Sequence, residues 1–161
     1  MVATRGADSR PDISPKGDLP GFVIVVDKKT LAIPDRPGNN RLDSFENLLV
    51  NSEVGLFFVI PGIGNTLRVS GQGQIVRDGE LQAAMKINGK APNLILIVRV
   101  EEAFMHCPKC MIRSGLWKND QLPQRSNVPT HAEALVAHAA LTESVATVQA
   151  RIDKDVSTRL Y

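Results

Sequence analysis

Residues 66–76 constrain this chain more than any other stretch. Leu67, Val69, Gly71, Gly73 and Ile75 fall on one side of an extended backbone, and Arg68, Ser70, Gln72 and Gln74 on the other. A period of two held this long specifies a strand with one buried face. Two glycines inside it permit sharp bending, which closed or coiled sheets need and flat ones do not. The stretch therefore asks for neighbours that curl around its apolar face.

Those neighbours are legible as shorter runs. Residues 1–5 and 10–14 flank the turn chemistry of Gly6-Ala7-Asp8-Ser9, and Pro11 and Pro15 confine the second run to an edge or bulge. Residues 22–26 are continuously apolar and β-branched, the pattern of a strand buried on both faces. Residues 30–33, 54–60 and 94–100 complete the set. Helix signals are inserted between them. Asp43 and Glu46 stand at capping-box spacing with Phe45, Leu48 and Leu49 as the apolar face, and Asp78 caps a helix ending near Met85. Residues 106–113 have room for one or two helical turns. Residues 34–41 read as a surface loop, and 119–129, polar with two prolines, as another. Thr130 to Glu133 is a capping box directly after Pro129. It opens one C-terminal helix over 130–152, with Ala134, His138, Leu141, Val145, Val148 and Ile152 as its stripe. Strands do not alternate with helices. The expectation is thus an α+β, mainly β chain: an antiparallel β-barrel with short inserted helices and a C-terminal helix, forming a single domain over 1–161.

Composition excludes several function classes. With 43% apolar and 22% charged residues the chain of 161 is neither disordered nor fibrous. No apolar run approaches the ~20 residues of a membrane span. A net charge of +2 and 4% aromatic residues leave neither the field nor the stacking platform that nucleic acid requires. Without a visible secretory signal, the expected location is cytoplasmic.

Compact motifs are scarce. Cys107-Pro108-Lys109-Cys110 follows a strand rather than opening a thioredoxin-like helix, and with His106 it supplies too few ligands for zinc, so both cysteines read as structural and no metal is expected. His138 sits on an apolar stripe and reads as an interface histidine. Neither a phosphate-binding glycine loop nor a catalytic triad is present, and no catalytic residue is named. A distributed constellation remains. Ser14, Lys16 and Gly17 end one strand, Gly38-Asn39-Asn40-Arg41 leads into a helix, and Arg113-Ser114-Gly115-Leu116-Trp117 lies far along the chain. Cations, amides and backbone N–H groups near a helix start suit a phosphate, and a solvated surface turn accounts for the same residues equally well.

The segments Ser14-Pro15-Lys16-Gly17-Asp18-Leu19-Pro20-Gly21-Phe22, Ile33-Pro34-Asp35-Arg36-Pro37-Gly38-Asn39-Asn40-Arg41-Leu42-Asp43-Ser44, Thr66-Leu67-Arg68-Val69-Ser70-Gly71 and His106-Cys107-x-Lys109 with Ile112-Arg113-Ser114-Gly115-Leu116-Trp117 occur in that order. Together they resemble the pyridoxamine 5'-phosphate oxidase-related, FMN-dependent flavoproteins, especially a bacterial branch with the Pro-Gly-Asn-Asn-Arg and Arg-Ser-Gly-Leu-Trp segments. The resemblance implies a Greek-key-like split barrel, a homodimer with FMN at its interface, and a small-molecule substrate. By the same resemblance Ser14, Lys16 and Gly17 border the flavin, and Asn39, Asn40 and Arg41 form the phosphate loop. Thr66 and Arg68 face the isoalloxazine, while Arg113 and Trp117 are carried toward the shared site. It further implies an FMN-dependent oxidoreductase, with a non-enzymatic dimer binding flavin, haem or deazaflavin as the alternative. Members of the family typically carry a helical segment before the first barrel strand, so the chain is expected to be shortened at its front, Met1 to Thr4 falling inside that strand.

Overall fold

The computed structural model describes residues 1–39, 41–118 and 128–161. Along them the chain forms β1 (Val2–Arg5), β2 (Pro11–Ser14), β3 (Ile24–Asp27), β4 (Thr30–Pro34), α1 (Asp43–Val50), β5 (Glu53–Phe58), β6 (Thr66–Val76), α2 (Gly79–Ala84), β7 (Ile95–His106), α3 (Lys109–Ser114), α4 (His131–His138) and α5 (Val145–Thr158). The strands make one antiparallel sheet in the order β2-β1-β5-β6-β7-β4-β3. Its ends, β2 and β3, do not pair with each other, so the sheet curls without closing. The antiparallel split-barrel class read from the sequence is the fold found.

Curling follows from the core. Val2 of β1 and Ile33 of β4 are separated by three intervening strands in the sheet, yet they share one buried cluster with Leu48, Val54, Leu56, Val69, Leu96 and Val98. Helix α1 plugs the concave side through Leu48. Asn47 Nδ2 of the same helix donates to Thr4 Oγ1 (3.1 Å) and Ser44 Oγ to Asp12 Oδ2 (2.8 Å). A second cluster of Ala32, Met85 and Ile95, with Ile24, Val76, Leu81 and Ile97, lies on the opposite side of the sheet beneath α2. Residues 95–98 are apolar without alternation because β7 is covered on both faces there.

Several local expectations are corrected. The run 22–26 is not a strand buried on both faces. β3 starts at Ile24 and is an edge strand, with Val25 70% exposed; Phe22 and Val23 pack on the first cluster and Ile24 on the second. Asp43 does not cap α1: Leu42 holds that position without a side-chain bond, because the Asp43 carboxylate is engaged by Arg41. Leu49, expected on the inner face, is 81% exposed; Ser44 and Leu48, four residues apart, take that face. β7 runs on to His106, because its exposed end pairs with the first residues of β6. A bulge at Ser70/Gly71 absorbs one extra residue of β7. Asp78 caps α2 as expected, accepting from the N–H groups of Glu80 and Leu81.

By contacts the chain divides into two units, Met1–Trp117 and Lys118–Tyr161. In the second, Thr130 and Glu133 form the expected capping box, but the single helix expected over 130–152 is two helices packed on each other. α4 ends at His138, Ala140 turns left-handed (φ 48°), and Ser144 caps α5 by accepting from Thr147 N–H. The left-handed Ala140 takes the chain out of the first helix, and the Ser144 N-cap starts the second. The expected 119–129 loop lies, up to residue 127, outside the described residues. No helix among the described residues is long and apolar enough to cross a membrane.

Candidate functional site

Ser14, Lys16 and Gly17 stand where β2 ends. Ser14 pairs with Val2, and Gly17 is exposed with open space around it. Lys16 reaches over the Phe45 ring, 5.7 Å from its centroid, and its ammonium lies 3.7 Å from Asp35 Oδ1. It also borders a pocket of about 210 Å³ whose other walls are apolar, among them Val2, Phe22, Ile33 and Leu56. Burial pushes the Asp35 carboxyl above its usual range, and Lys16 offsets only part of that rise.

In the second segment, Arg41 grips Asp43 through two bonds, Nε to Oδ2 at 2.7 Å and Nη2 to Oδ1 at 3.2 Å. The guanidinium holds the Asp43 carboxyl below the ordinary range, and the carboxylate holds the Arg41 proton more firmly in return. Asn39 Oδ1 accepts from the Arg41 backbone N–H (3.0 Å). Asn40 lies outside the described residues. As placed, the Arg41 charge is spent on a neighbouring carboxylate.

The third group lies on the ribbon where β6 and β7 run beyond the core. Arg68 is paired across the ladder with Phe104 and sits 5.5 Å from its ring centroid. The Phe104 ring meets His106 at 4.9 Å. Arg68 is exposed and, among the described residues, has no carboxylate partner. Thr66, two residues earlier and so on the same strand face, is buried to 1%, and among the described residues its hydroxyl has no partner. A buried hydroxyl without a bond is uncommon and costs about 1–3 kcal/mol.

Helix α3 follows directly. Arg113 is exposed in its last turn without an ion pair among the described residues, and Trp117 Nε1 donates to Ile63 O (3.0 Å) in the turn between β5 and β6. That turn also holds Asn65, whose amide donates to His106 O (3.3 Å), and Gly64, where a Cβ would stand 2.8 Å from Pro108 Cβ. A glycine is required at 64 because α3 presses so closely on the turn.

The ten expected residues therefore sort by electrostatics. Lys16 and Arg41 have carboxylates beside them, whereas Arg68 and Arg113 stand free of any among the described residues. Thr66 and Arg68 are together on one ribbon, and Trp117 anchors α3 to the turn that precedes it. Sequence reasoning missed Phe104 and placed His106 at the start of a helical turn rather than on a strand, because the end of β7 lacks apolar alternation and reads as a break. The Asp35 and Asp43 pairings were missed too, although the i,i+2 spacing of Arg41 and Asp43 was a usable signal. The cysteines are corrected: Cys107 and Cys110 are both exposed and free, not structural core residues. No metal-binding cluster occurs among the described residues.

The chain has solved structural counterparts. HupZ of Group A Streptococcus matches at 25% identity over 65% of this chain and 82% of that one, with a TM-score of 0.51. A substituted form of HupZ matches at 24% identity over 66% and 87%, also at 0.51. An FMN-binding protein from Syntrophomonas wolfei shares the fold at only 9% identity, over 65% and 74%, with a TM-score of 0.50. No curated protein matches. The sequence family described as pyridoxamine 5'-phosphate oxidase matches residues 1–107, which span all seven strands. With two thirds of its length and its whole sheet inside that match, the chain belongs to the pyridoxamine 5'-phosphate oxidase family.

Proposed function

We propose that this chain binds FMN against the outer face of the β6–β7 ribbon and acts, as a homodimer, as an FMN-dependent oxidoreductase on a small molecule. The observation that carries the reading is Arg68, an exposed guanidinium lying over Phe104 with no carboxylate to neutralise it among the described residues. Such a group offers a phosphate or a flavin carbonyl full charge and fork-shaped donors, and it stacks on planar rings. Family membership and the FMN-binding relative of the same fold support the choice of ligand.

The donor set fits the cofactor. Arg68 and Arg113 supply positive charge without an ion pair among the described residues, Phe104 an aromatic wall, and Thr66 a buried hydroxyl with no hydrogen-bond partner among the described residues. Lys16 and Arg41 play the lesser part, because recruiting either means drawing it from a carboxylate. When bound, FMN would supply hydride-transfer chemistry that no side chain here provides. The protein's own contribution is orientation and a positive field beside the ring system.

The test is an FMN titration of the purified chain, followed by flavin fluorescence and by thermal shift. Quenching and a raised midpoint are expected, together with the mass of two chains in solution. Oxidation of a nicotinamide nucleotide with an acceptor panel then separates an enzyme from a carrier. Saturating FMN without quenching or stabilisation would remove the reading.

A further inference from the structure

Two thiols stand on the surface within one turn of chain. Cys107 closes the end of β7, Pro108 turns the backbone (φ −79°, ψ 2°), and Cys110 lies in the first turn of α3. With two residues of helical or bridge conformation between them, the Cα atoms fall inside the ~7 Å span of a β-turn, within reach of a disulfide. Neither side chain has a hydrogen bond or ion pair among the described residues. Packing does not explain them, since inert cysteines are buried ones.

The segment is clamped on both sides. Before the pair, Asn65 holds His106 O; after it, Trp117 holds Ile63 O; between them Pro108 lies against Gly64. A covalent ring closed over 107–110 pulls on both clamps, and through them on the turn that leads into Thr66 and Arg68.

We propose that Cys107 and Cys110 form an exchange-active dithiol that low-molecular-weight disulfides close to an intrachain disulfide. One cysteine thiolate attacks a sulfur of the small disulfide, forming a mixed disulfide and releasing one small thiolate. The second cysteine thiolate then attacks the protein-bound sulfur and releases the other. The two protons lost by the protein thiols are taken by the two departing thiolates. One protein S–S bond forms, one small-molecule S–S bond breaks, and two electrons pass from protein to small molecule. The four-residue ring makes the second step intramolecular and hence favoured over chain-to-chain linkage.

The experiment exposes the full chain, without cofactor, to oxidised glutathione and reads intact mass, free thiols and emission from Trp117, the single tryptophan of the chain. The expected result is a loss of two hydrogens, disappearance of both thiols together, and an emission change reversed by dithiothreitol. Cys110→Ser and Cys107→Ser each should stop at one attached glutathionyl group. Wild-type protein that accumulates glutathionyl groups on both cysteines, links chain to chain, or keeps its thiols would overturn the proposal. Disulfide closure with unchanged Trp117 emission would overturn its link to the β5–β6 turn. FMN enters none of these readouts, so the outcome is independent of the proposed cofactor.

Discussion

Arg36 Nε donates to Asp18 Oδ2 at 2.6 Å, and Nη2 of the same guanidinium donates to Met85 O at 2.8 Å. One side chain thus ties the segment between β2 and β3 to the end of α2, around a carboxylate only 1% exposed. Taking away the partner of a buried charge costs about 3–5 kcal/mol. Arg36→Ala should lose up to that much in urea unfolding, less to the extent that other bonds such as that from Leu19 N–H to Asp18 Oδ1 (2.7 Å) persist, and Arg36→Lys should lose less still, since it keeps the charge but not the fork. A loss for Arg36→Ala below about 1 kcal/mol would show that Asp18 does not depend on this pair.

The two glycines of β6 differ in what surrounds them. A Cβ at Gly71 would run into the Arg99 carbonyl oxygen at the β6–β7 bulge, a wall of backbone. At Gly73 it would meet side-chain ends, Leu48 Cδ2 at 2.8 Å and Leu96 Cδ1 at 3.3 Å. Gly73→Ala should cost about 1–3 kcal/mol by overpacking, and Gly71→Ala more, to the point of lost soluble protein. Equal denaturation midpoints for the two variants would contradict this difference.

Under the proposed function, charge already spent should matter less than free charge. Arg68→Ala should weaken FMN about tenfold or more, ~1.4 kcal/mol or above, and Arg41→Ala by less, because Asp43 already neutralises it. Arg68→Lys should recover only part of the affinity. Fluorescence titration of the three variants decides it, and a larger loss for Arg41→Ala would move the phosphate to the α1 loop.

Asp35 gives a pH dependence of known sign. Its folded pKa is raised above the ordinary 3.8 by burial, with Lys16 pulling the other way. The native state therefore binds this proton more tightly than the unfolded chain, so ionised Asp35 lowers stability above its folded pKa. That cost fades as pH falls through the folded pKa toward 3.8. Asp35→Asn should be the more stable protein near neutral pH, with its advantage shrinking on acidification. Urea midpoints across that range test it; an advantage that grew at lower pH would reverse the assignment.

Local chemistry made much of this molecule legible in one dimension. The two-residue period of 66–76 announced the central strand, Asp78 and the Thr130–Glu133 box announced two helix starts, and the resemblance read from ordered segments of the chain pointed to the family whose match covers residues 1–107. Each signal is written within a few residues, as hydrogen-bond caps and strand alternation are. What only the tertiary structure decided depends on groups far apart in sequence. Val25 is exposed because β3 falls at the sheet edge, and β7 continues to His106 because β6 is there to pair with it. Unlike Arg41, neutralised by its near neighbour Asp43, Arg68 lies over Phe104, 36 positions away, and meets no acid among the described residues. Sequence fixes which charges exist; only the folded chain determines which are left uncompensated, because compensation is a matter of distance in space.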